Sequence, residues 1–479
     1  MQRASACDRG KPWCSGLRCV GISAGFILLA ACVAAPPEPE DIRKDALVDV
    51  QLAESWKAGH VVSTEAVQDD WLHSFQDPVL DQLVREALAR NFDLRVAAAR
   101  VEQAGQYVVM AQSSLRPSVQ LFGTGGSKTG GSGDATSALQ AIMLGASWEL
   151  DIWGRLRYAR NAAQEDYASA RGDLEFARQS LAASVAKAWF TATQLSLHAT
   201  IVEEMARASG ELHVLAQDRE RVGAGTDSET AVANANVREV QATLQQVQLA
   251  RSQALRALEL LLGRYPAAEI EARVQLLAMP GPLSTGIPLQ MLERRPDVVA
   301  AERRVAAAFN RIGEAKAARL PQITLSANFG AFASEILELK EDYENPSAGL
   351  GAQLLAPIYR GGALNAKVEI RTLEQKEAIA DYARVALRAI GEVENALAAS
   401  ESLETQSALL TEALREQTRA LEFTETRFRI GRADRRAVEQ QRLTVQSARI
   451  ALLDAQTSEL ATRVNLHLAL GGSFAPPQT

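Results

Sequence analysis

Residues 322–331 read Gln322-Ile323-Thr324-Leu325-Ser326-Ala327-Asn328-Phe329-Gly330-Ala331. The apolar members alternate strictly with polar or small ones, the period of two that sends successive side chains to opposite faces of a strand. A partner run follows, with Ala348, Leu350, Ala352 and Leu354 set against Gly349, Gly351 and Gln353. Earlier in the chain Leu144, Ala146, Trp148, Leu150 and Ile152 alternate with Gly145, Ser147, Glu149 and Asp151, and Val119 to Phe122 supply the mate. Strands are therefore expected at about 117–124, 140–152, 321–333 and 347–358. Such alternation fits a soluble sheet with one wet face or a membrane β-barrel with an apolar outside and a polar lumen. Strands of about ten residues suit a tilted membrane strand. Four strands cannot close a barrel, whose smallest membrane form has about eight, and lipid tolerates no open edge. On the barrel reading the chain is an obligate oligomer.

The alternation occurs twice because the chain repeats itself. Asp93, Val101 and Pro117 return as Asp297, Val305 and Pro321, each 204 residues later. Arg221-Val222-Gly223 returns as Arg429-Ile430-Gly431, and Leu262-Gly263 as Leu470-Gly471, each 208 residues later. Each unit opens with a helix, such as Leu80 to Ala111, and a proline ends it before the strands. The stretches from Gly123 to Ala135 and from Ser334 to Asn345 read as polar, flexible loops. Long helices follow, from Arg155 to Leu215 and from Gly362 to Phe428, without an internal proline. Heptad-like spacing runs through Leu181, Val185, Ala188, Ala192, Leu195, Ala199 and Val202, and again through Val393, Ala396, Ser400, Leu403, Ser407, Leu410 and Leu414. Small residues along these seams let helices approach closely. A return helix follows each glycine turn.

Ahead of the repeats, Arg3, Arg9, Lys11 and Arg18 precede the apolar run Val20 to Leu29, which reads as an export signal. Leu29-Ala30-Ala31-Cys32 resembles a lipobox, in which the Cys32 thiol is acylated and becomes the new N-terminus. Several acyl chains give the stable anchorage that one cannot, and this exported context favours the barrel. Cys7, Cys14 and Cys19 leave with the signal, so no disulfide is expected among the 4 cysteines. The Pro- and acid-rich stretch that follows reads as an extended tether. The expected organisation is a signal over 1–31, a lipid-anchored tether over 32–70, repeats over 71–285 and 286–471, and a tail over 472–479. Composition agrees: 47% hydrophobic residues exclude a disordered chain, and 5% aromatic residues suit Ala-rich helix seams better than thick cores. A formal charge of −7 argues against a nucleic-acid surface.

The run Ile287-Pro288-Leu289-Gln290-Met291-Leu292-Glu293-Arg294-Arg295-Pro296-Asp297-Val298-Val299-Ala300-Ala301-Glu302 resembles a signature of the TolC-like outer membrane factor family, specifically its lipoprotein (NodT-type) branch paired with resistance-nodulation-division efflux pumps. Trp148 to Arg155, Pro357 to Gly362, and Trp71 with Phe75-Gln76-Asp77-Pro78 support it. The resemblance implies a homotrimer, with a 12-stranded outer-membrane barrel continued by a periplasmic α-helical tunnel. It implies a passive exit duct for small molecules, fed by an inner-membrane resistance-nodulation-division transporter through a periplasmic adaptor. The adaptor would meet the helix turns, here Arg221, Val222, Gly223 and Ala224, and Arg429, Ile430, Gly431 and Arg432. Some relatives carry acidic gate residues six and nine positions after the second turn glycine; here those places hold Ala437 and Gln440, with Asp434 and Glu439 nearby as gate candidates. The lumen would be lined by Glu149, Asp151, Gln322, Thr324, Ser326, Asn328 and Gln353. Two alternatives stay open: the outlet of a type I protein secretion system, and a lipid-anchored coiled-coil scaffold without a pore.

No catalytic or cofactor constellation emerges. Gly123-Thr124-Gly125-Gly126-Ser127-Lys128-Thr129 lacks the glycine before the lysine that a phosphate loop needs. The 5 histidines are dispersed, without metal-ligand spacing, and His198 and His213 read as helix-surface or seam residues. Glu149 and Asp151 are spaced to pair as acid and base, but a lumen lining or a junction ion pair with Arg155 fits better.

Overall fold

A computed structural model describes residues 33–48, 50, 52–58, 69–125, 127–129, 135–137, 140–281, 283–333 and 347–474. These form two compact units. Residues 33–35, 111–159 and 311–368 carry the strands, and residues 36–110, 160–310 and 369–474 are almost wholly helical.

In the strand unit, β1 (Ser118–Thr124), β4 (Gln140–Leu150), β5 (Gln322–Ala333) and β6 (Ser347–Leu355) form an antiparallel sheet in the order β1-β4-β5-β6. Strand β4 pairs with β5 along its whole length, from Gln140↔Ala333 to Leu150↔Ile323. The outer edges of β1 and β6 have no partner strand within the sheet. A separate small hairpin, β2 (Ser127–Thr129) with β3 (Ala135–Ser137), occupies part of the stretch expected to be a flexible loop. It also removes the phosphate-loop resemblance, because Lys128 lies in a strand and the next described element is the strand β3. The Ser334 to Asn345 loop lies outside the described residues.

The helical unit contains α1 (Pro39–Ala46), α2 (Pro78–Arg90), α3 (Phe92–Ser113), α4 (Arg155–Arg221), α5 (Asp227–Leu261), α6 (Pro288–Arg294), α7 (Pro296–Ala317), α8 (Ala363–Arg429) and α9 (Arg435–Ala469), with the outermost turns of α3, α4, α7 and α8 assigned to the strand unit. Lengths match in pairs: 22 residues for α3 and α7, 67 for α4 and α8, 35 for α5 and α9. At ~1.5 Å per residue the longest helices extend roughly 100 Å. Among the described residues no helix is long and apolar enough to cross a membrane.

The first expected seam is buried at Val185, Ala192, Ala199 and Val202. Ala199 and Val202 meet Val247 of α5 and Ile450 of α9. The second seam is buried only at Val393 and Ala396; from Ser400 to Leu414 it is half-buried within one chain. The extended-tether reading needs correction over the described residues up to Ala58; residues 59–68 lie outside the described residues. Ile42, Leu47 and Trp56 are buried in one core with Met291, Leu292, Val298 and Tyr382, and Glu394 accepts the backbone N–H groups of Lys57 and Ala58. Three large apolar side chains outweigh a Pro- and acid-rich composition once a groove receives them.

A second core gathers Trp71, Phe75, Leu80, Trp189, Phe190 and Leu460. Asp77 starts α2 by accepting from Val79 N (3.0 Å) and also accepts from Trp189 Nε1 (2.9 Å). His467 stacks on Trp71 at 5.6 Å, and its Nδ1 has no hydrogen-bond partner. Burial, and then the charge of Arg463, push its pKa down to about 3. The unfolded value is about 6.5, so acid favours the unfolded chain. This stabilising contribution is complete above about pH 6.5 and is lost as pH falls towards 3. A His467→Phe variant, which keeps the stacked ring, is expected to lose melting temperature less steeply than the parent between about pH 6.5 and 4. Parallel curves would refute this assignment.

Candidate functional site

Register turns the alternation into two faces. Opposed pairs Ser118↔Ser147, Gln120↔Gly145, Glu149↔Thr324, Ser147↔Ser326, Thr324↔Gln353 and Ser326↔Gly351 fall on one face, as does Asn328 opposite Gly349. The other face carries Val119↔Ala146, Leu121↔Leu144, Trp148↔Leu325, Leu144↔Phe329 and Ala327↔Leu350. Its Leu121, Ile142, Phe329, Leu350 and Leu354 are exposed. A sheet with one solvent-compatible face would bury the apolar one on a core; here that face is bare. Of the expected lining residues, Gln322, Thr324, Ser326, Asn328 and Gln353 occupy alternating positions on the polar face.

Glu149 stands on the same polar face and makes the junction ion pair expected with Arg155, whereas Asp151 caps a helix. Glu149 ends the polar row of β4 and accepts from Arg155 Nε at 3.1 Å and Nη2 at 2.6 Å. Asp151 lies beyond the strand and accepts from the backbone N–H groups of Leu156 (2.9 Å) and Arg157 (3.0 Å), and from Arg157 Nε at 3.0 Å. The first turn of α4 has unpaired N–H donors, and an aspartate just ahead of it meets them. Sequence alternation ran on past Leu150 because composition does not reveal where a ladder stops.

The turns after α4 and α8 share one geometry. Gly223 N donates to Glu220 O and Ala224 N to Arg219 O; Gly431 N donates to Phe428 O and Arg432 N to Arg427 O. These are Schellman closures, which need a left-handed residue, and Gly223 and Gly431 have φ of +71° and +74°. At each turn an apolar residue precedes the glycine and is exposed, Val222 and Ile430. Arg221, Ala224, Arg429 and Arg432 are exposed too.

The two acidic gate candidates are tied down within the chain. Asp434 caps α9 by accepting from Ala437 N at 2.9 Å, a bond that, with Arg436, holds its carboxyl below the usual aspartate range. Glu439 is buried and pairs with Arg442 at 3.1 Å and with Arg435 at 3.9 Å. Arg435 also reaches Glu211 of α4 at 2.9 Å. Gln440, exposed, and Arg436 line a cavity of about 460 Å³ with Met205 and Leu212 of α4 and Val232 of α5. Spacing from Gly431 could not say which side of α9 each carboxylate faces.

Arg295 was legible only as part of a motif. Its side chain, 1% exposed, pairs with Asp297 at 2.8 Å and with Glu392, donates to Ala469 O, and stacks over Phe176. At the place 204 residues earlier, Asn91 Nδ2 donates to Leu261 O at 3.1 Å. Both side chains satisfy a last-turn carbonyl of a return helix. Among the described residues no His/Cys/Asp/Glu group is placed to hold a metal. Cys32 lies outside the described residues.

A two-faced sheet with open edges, joined in sequence to paired helices of this length, defines a class of membrane-associated β-and-α assemblies. The chain belongs to the outer membrane efflux protein family, whose model matches residues 83–264 and 287–472. It is 30% identical over 433 residues to the pyoverdine export outer membrane protein OpmQ of Pseudomonas putida, covering 88% of this chain and 91% of that one. It is 26% identical over 456 residues to the cation efflux system protein CusC of Escherichia coli, covering 94% and 97%. Among solved structures, the open state of the Neisseria gonorrhoeae MtrE outer membrane channel matches with a TM-score of 0.77 at 26% identity, covering 94% of this chain and 99% of that one. The Campylobacter jejuni CmeC outer membrane channel matches in fold with a TM-score of 0.81 at 21% identity, covering 94% and 96%. The protein is an outer-membrane efflux protein.

Proposed function

We propose that this chain is the passive exit duct of a tripartite efflux pump, a homotrimer whose three four-stranded sheets close one 12-stranded barrel. The observation that carries this reading is the bare apolar face on a sheet whose two edges are unpaired. Lipid satisfies the first, and only further strands satisfy the second. The polar row Gln322, Thr324, Ser326, Asn328 and Gln353 lines the lumen. The two halves are copies of one unit, which accounts for the paired helix lengths. The long helices build the periplasmic tunnel. The exposed pairs Val222-Gly223 and Ile430-Gly431, with their flanking arginines, meet the periplasmic adaptor. Residues 1–31 direct export, and Cys32 carries the lipid anchor.

The energy comes from an inner-membrane transporter, of the resistance-nodulation-division class that the Ile287 to Glu302 signature implies. Relatives named for pyoverdine export and for cation efflux fit a duct that leaves cargo choice upstream. At the inner end, Arg435 bridging Glu211 and Glu439 replaces a ring of free carboxylates as the closing contact. The purified protein in a planar bilayer is expected to show single-channel steps, more frequent in an Arg435→Ala variant. Absence of conductance in both proteins, at any voltage, would favour the scaffold reading and reject the duct.

A further inference from the structure

We infer that the junction between β6 and α8 binds the headgroup of an anionic phospholipid of the periplasmic leaflet, with Arg319 and Arg360 as its cations and Tyr359 as its interfacial ring. This rests on the membrane-barrel reading and adds a lipid site that the barrel itself does not require.

The internal repeat supplies a matched comparison. At one end of the sheet β1 and β5 begin and β4 and β6 stop, each close in sequence to a helix. The junctions after β4 and after β6 correspond at a shift of 208 residues, so Glu149, Asp151 and Gly154 return as Pro357, Tyr359 and Gly362. The first junction is neutralised and covered. Glu149 pairs with Arg155 at 2.6 Å, and Asp151 with Arg157 at 3.0 Å. Gly154 has a φ of +76°, and a Cβ built on it would lie 2.6 Å from Val33 Cγ2. Ala34 N donates to the Tyr158 hydroxyl at 2.9 Å. The residue that follows Cys32 therefore sits on the Gly154 turn, so the lipid anchor proposed for Cys32 starts at this level.

The second junction has the opposite character. Its counterparts of the two carboxylates are a proline and a tyrosine, and Arg360 stands where the first junction has Ile152. Arg360 is exposed, and Tyr359 is 85% exposed. Gly361 and Gly362 keep positive φ, +56° and +85°, yet no described atom lies within 4 Å of a Cβ built on either. Arg319, just ahead of the neighbouring β5, is exposed as well, where the first repeat has Leu115. Among the described residues neither arginine meets a carboxylate. Two cations at the ends of adjacent strands, without a counter-charge in the chain, call for an anion from outside it.

The surroundings make that anion a lipid headgroup. Leu354, Ile358 and Arg360 continue the parity of the apolar face beyond β6, and Ile358 is 92% exposed, so the cation crowns the surface that hydrocarbon covers. Trp148 Nε1 donates to Leu115 O at 3.0 Å and Trp153 Nε1 to Pro321 O at 2.7 Å. Indoles with satisfied polar edges at one end of an apolar face mark a membrane–water boundary. The anchor segment reaches the same end of the sheet through Val33. A phosphate at this boundary meets the arginine forks, whose planar donors suit its oxygens, while its acyl chains run along the row of Ile358, Leu354 and Leu350. A zwitterionic headgroup brings its own cation, so the arginine pair favours phosphatidylglycerol over phosphatidylethanolamine.

The test is native mass spectrometry with thermal unfolding of the detergent-purified protein, titrated with phosphatidylglycerol, phosphatidylethanolamine or inorganic phosphate. The parent is expected to retain phosphatidylglycerol in preference to the other two. Each arginine at an anionic lipid surface is worth about five-fold in partition, so Arg319→Gln with Arg360→Gln is expected to weaken phosphatidylglycerol binding about twenty-five-fold. That variant is expected to keep parental trimer yield and conductance. Tyr359→Asp keeps both arginines and restores the carboxylate of the first junction, and a loss of about five-fold is expected. Arg238→Gln with Arg415→Gln, exposed positions on α5 and α8, is expected to change nothing. Equal binding of the two lipids by the parent, or a preference that survives Arg319→Gln with Arg360→Gln, overturns the inference and leaves the duct standing. Equal stabilisation by inorganic phosphate assigns the arginines to a soluble anion and overturns it too. A parent without trimers or conductance overturns both readings. If the double glutamine variant does not assemble, Tyr359→Asp decides, because it alters only an exposed ring.

Discussion

Replacing Arg295 by methionine is expected to destabilise the helical unit by about 3–5 kcal/mol, the usual cost of removing one partner from a buried ion pair. The guanidinium is held on four sides: by Asp297, by Glu392, by the carbonyl of Ala469 and by the ring of Phe176. Asp297 is itself buried and also accepts from Val298 N at the start of α7. Methionine fills much of the volume but leaves that carboxylate with the Val298 N–H and, for a cation, the half-exposed Arg388 at 3.5 Å. An Arg295→Met, Asp297→Asn double variant removes the orphaned charge and is expected to recover part of the loss, a coupling between neighbours that single variants cannot show. Asn91→Ala, at the corresponding place in the first repeat, removes one neutral hydrogen bond to Leu261 O and is expected to cost only about 1 kcal/mol. Thermal melting of the four proteins decides it. Equal losses at positions 91 and 295 would show that the ion pair contributes nothing beyond its bond to a helix end.

The contrast between those two positions also marks how far the sequence could be read. The strands were legible because alternation is a local property: the range expected at 321–333 is β5 from Gln322 to Ala333. The helices were legible because nothing interrupts them before Gly223 and Gly431. Burial of individual charges was not legible. Arg294 and Arg295 are adjacent and chemically identical, yet Arg294 reaches out to Asp69 while Arg295 is enclosed. That difference depends on where α8 and α9 lie, which no local pattern records. The same holds for Glu439, whose burial follows from the face of α9 turned inward, and for Asp151, whose role is set by where β4 stops. Residues 33–58 were misread for the opposite reason. Proline and acidic residues crowd the stretch from Pro36 to Asp45, while Ile42, Leu47 and Trp56 dominate the energetics.

Leu325 and Ser326 are neighbours on β5 with opposite expected responses to the same substitution. Leu325 stands opposite Trp148 and Ala352 on the apolar face, and Ser326 opposite Ser147 and Gly351 on the polar one. In a membrane barrel the apolar face meets hydrocarbon, where an arginine costs about 2–4 kcal/mol at the midplane and less towards either interface. Three copies would multiply that penalty in each assembled barrel. Leu325→Arg is therefore expected to abolish assembly, leaving little trimer in the outer membrane and no conductance. Ser326→Arg places three cations around a water-filled lumen instead. It is expected to assemble at parental levels and to shift selectivity towards anions in single-channel recordings, because charge rings set the selectivity of wide pores. A soluble sheet would respond otherwise: both residues are exposed in the single chain, so both arginines would be tolerated alike. Comparable trimer yields from the two variants would reject lipid on the apolar face. A yield lost only with Leu325→Arg, joined to a selectivity shift only with Ser326→Arg, assigns the two faces to lipid and to lumen by one residue's difference in register.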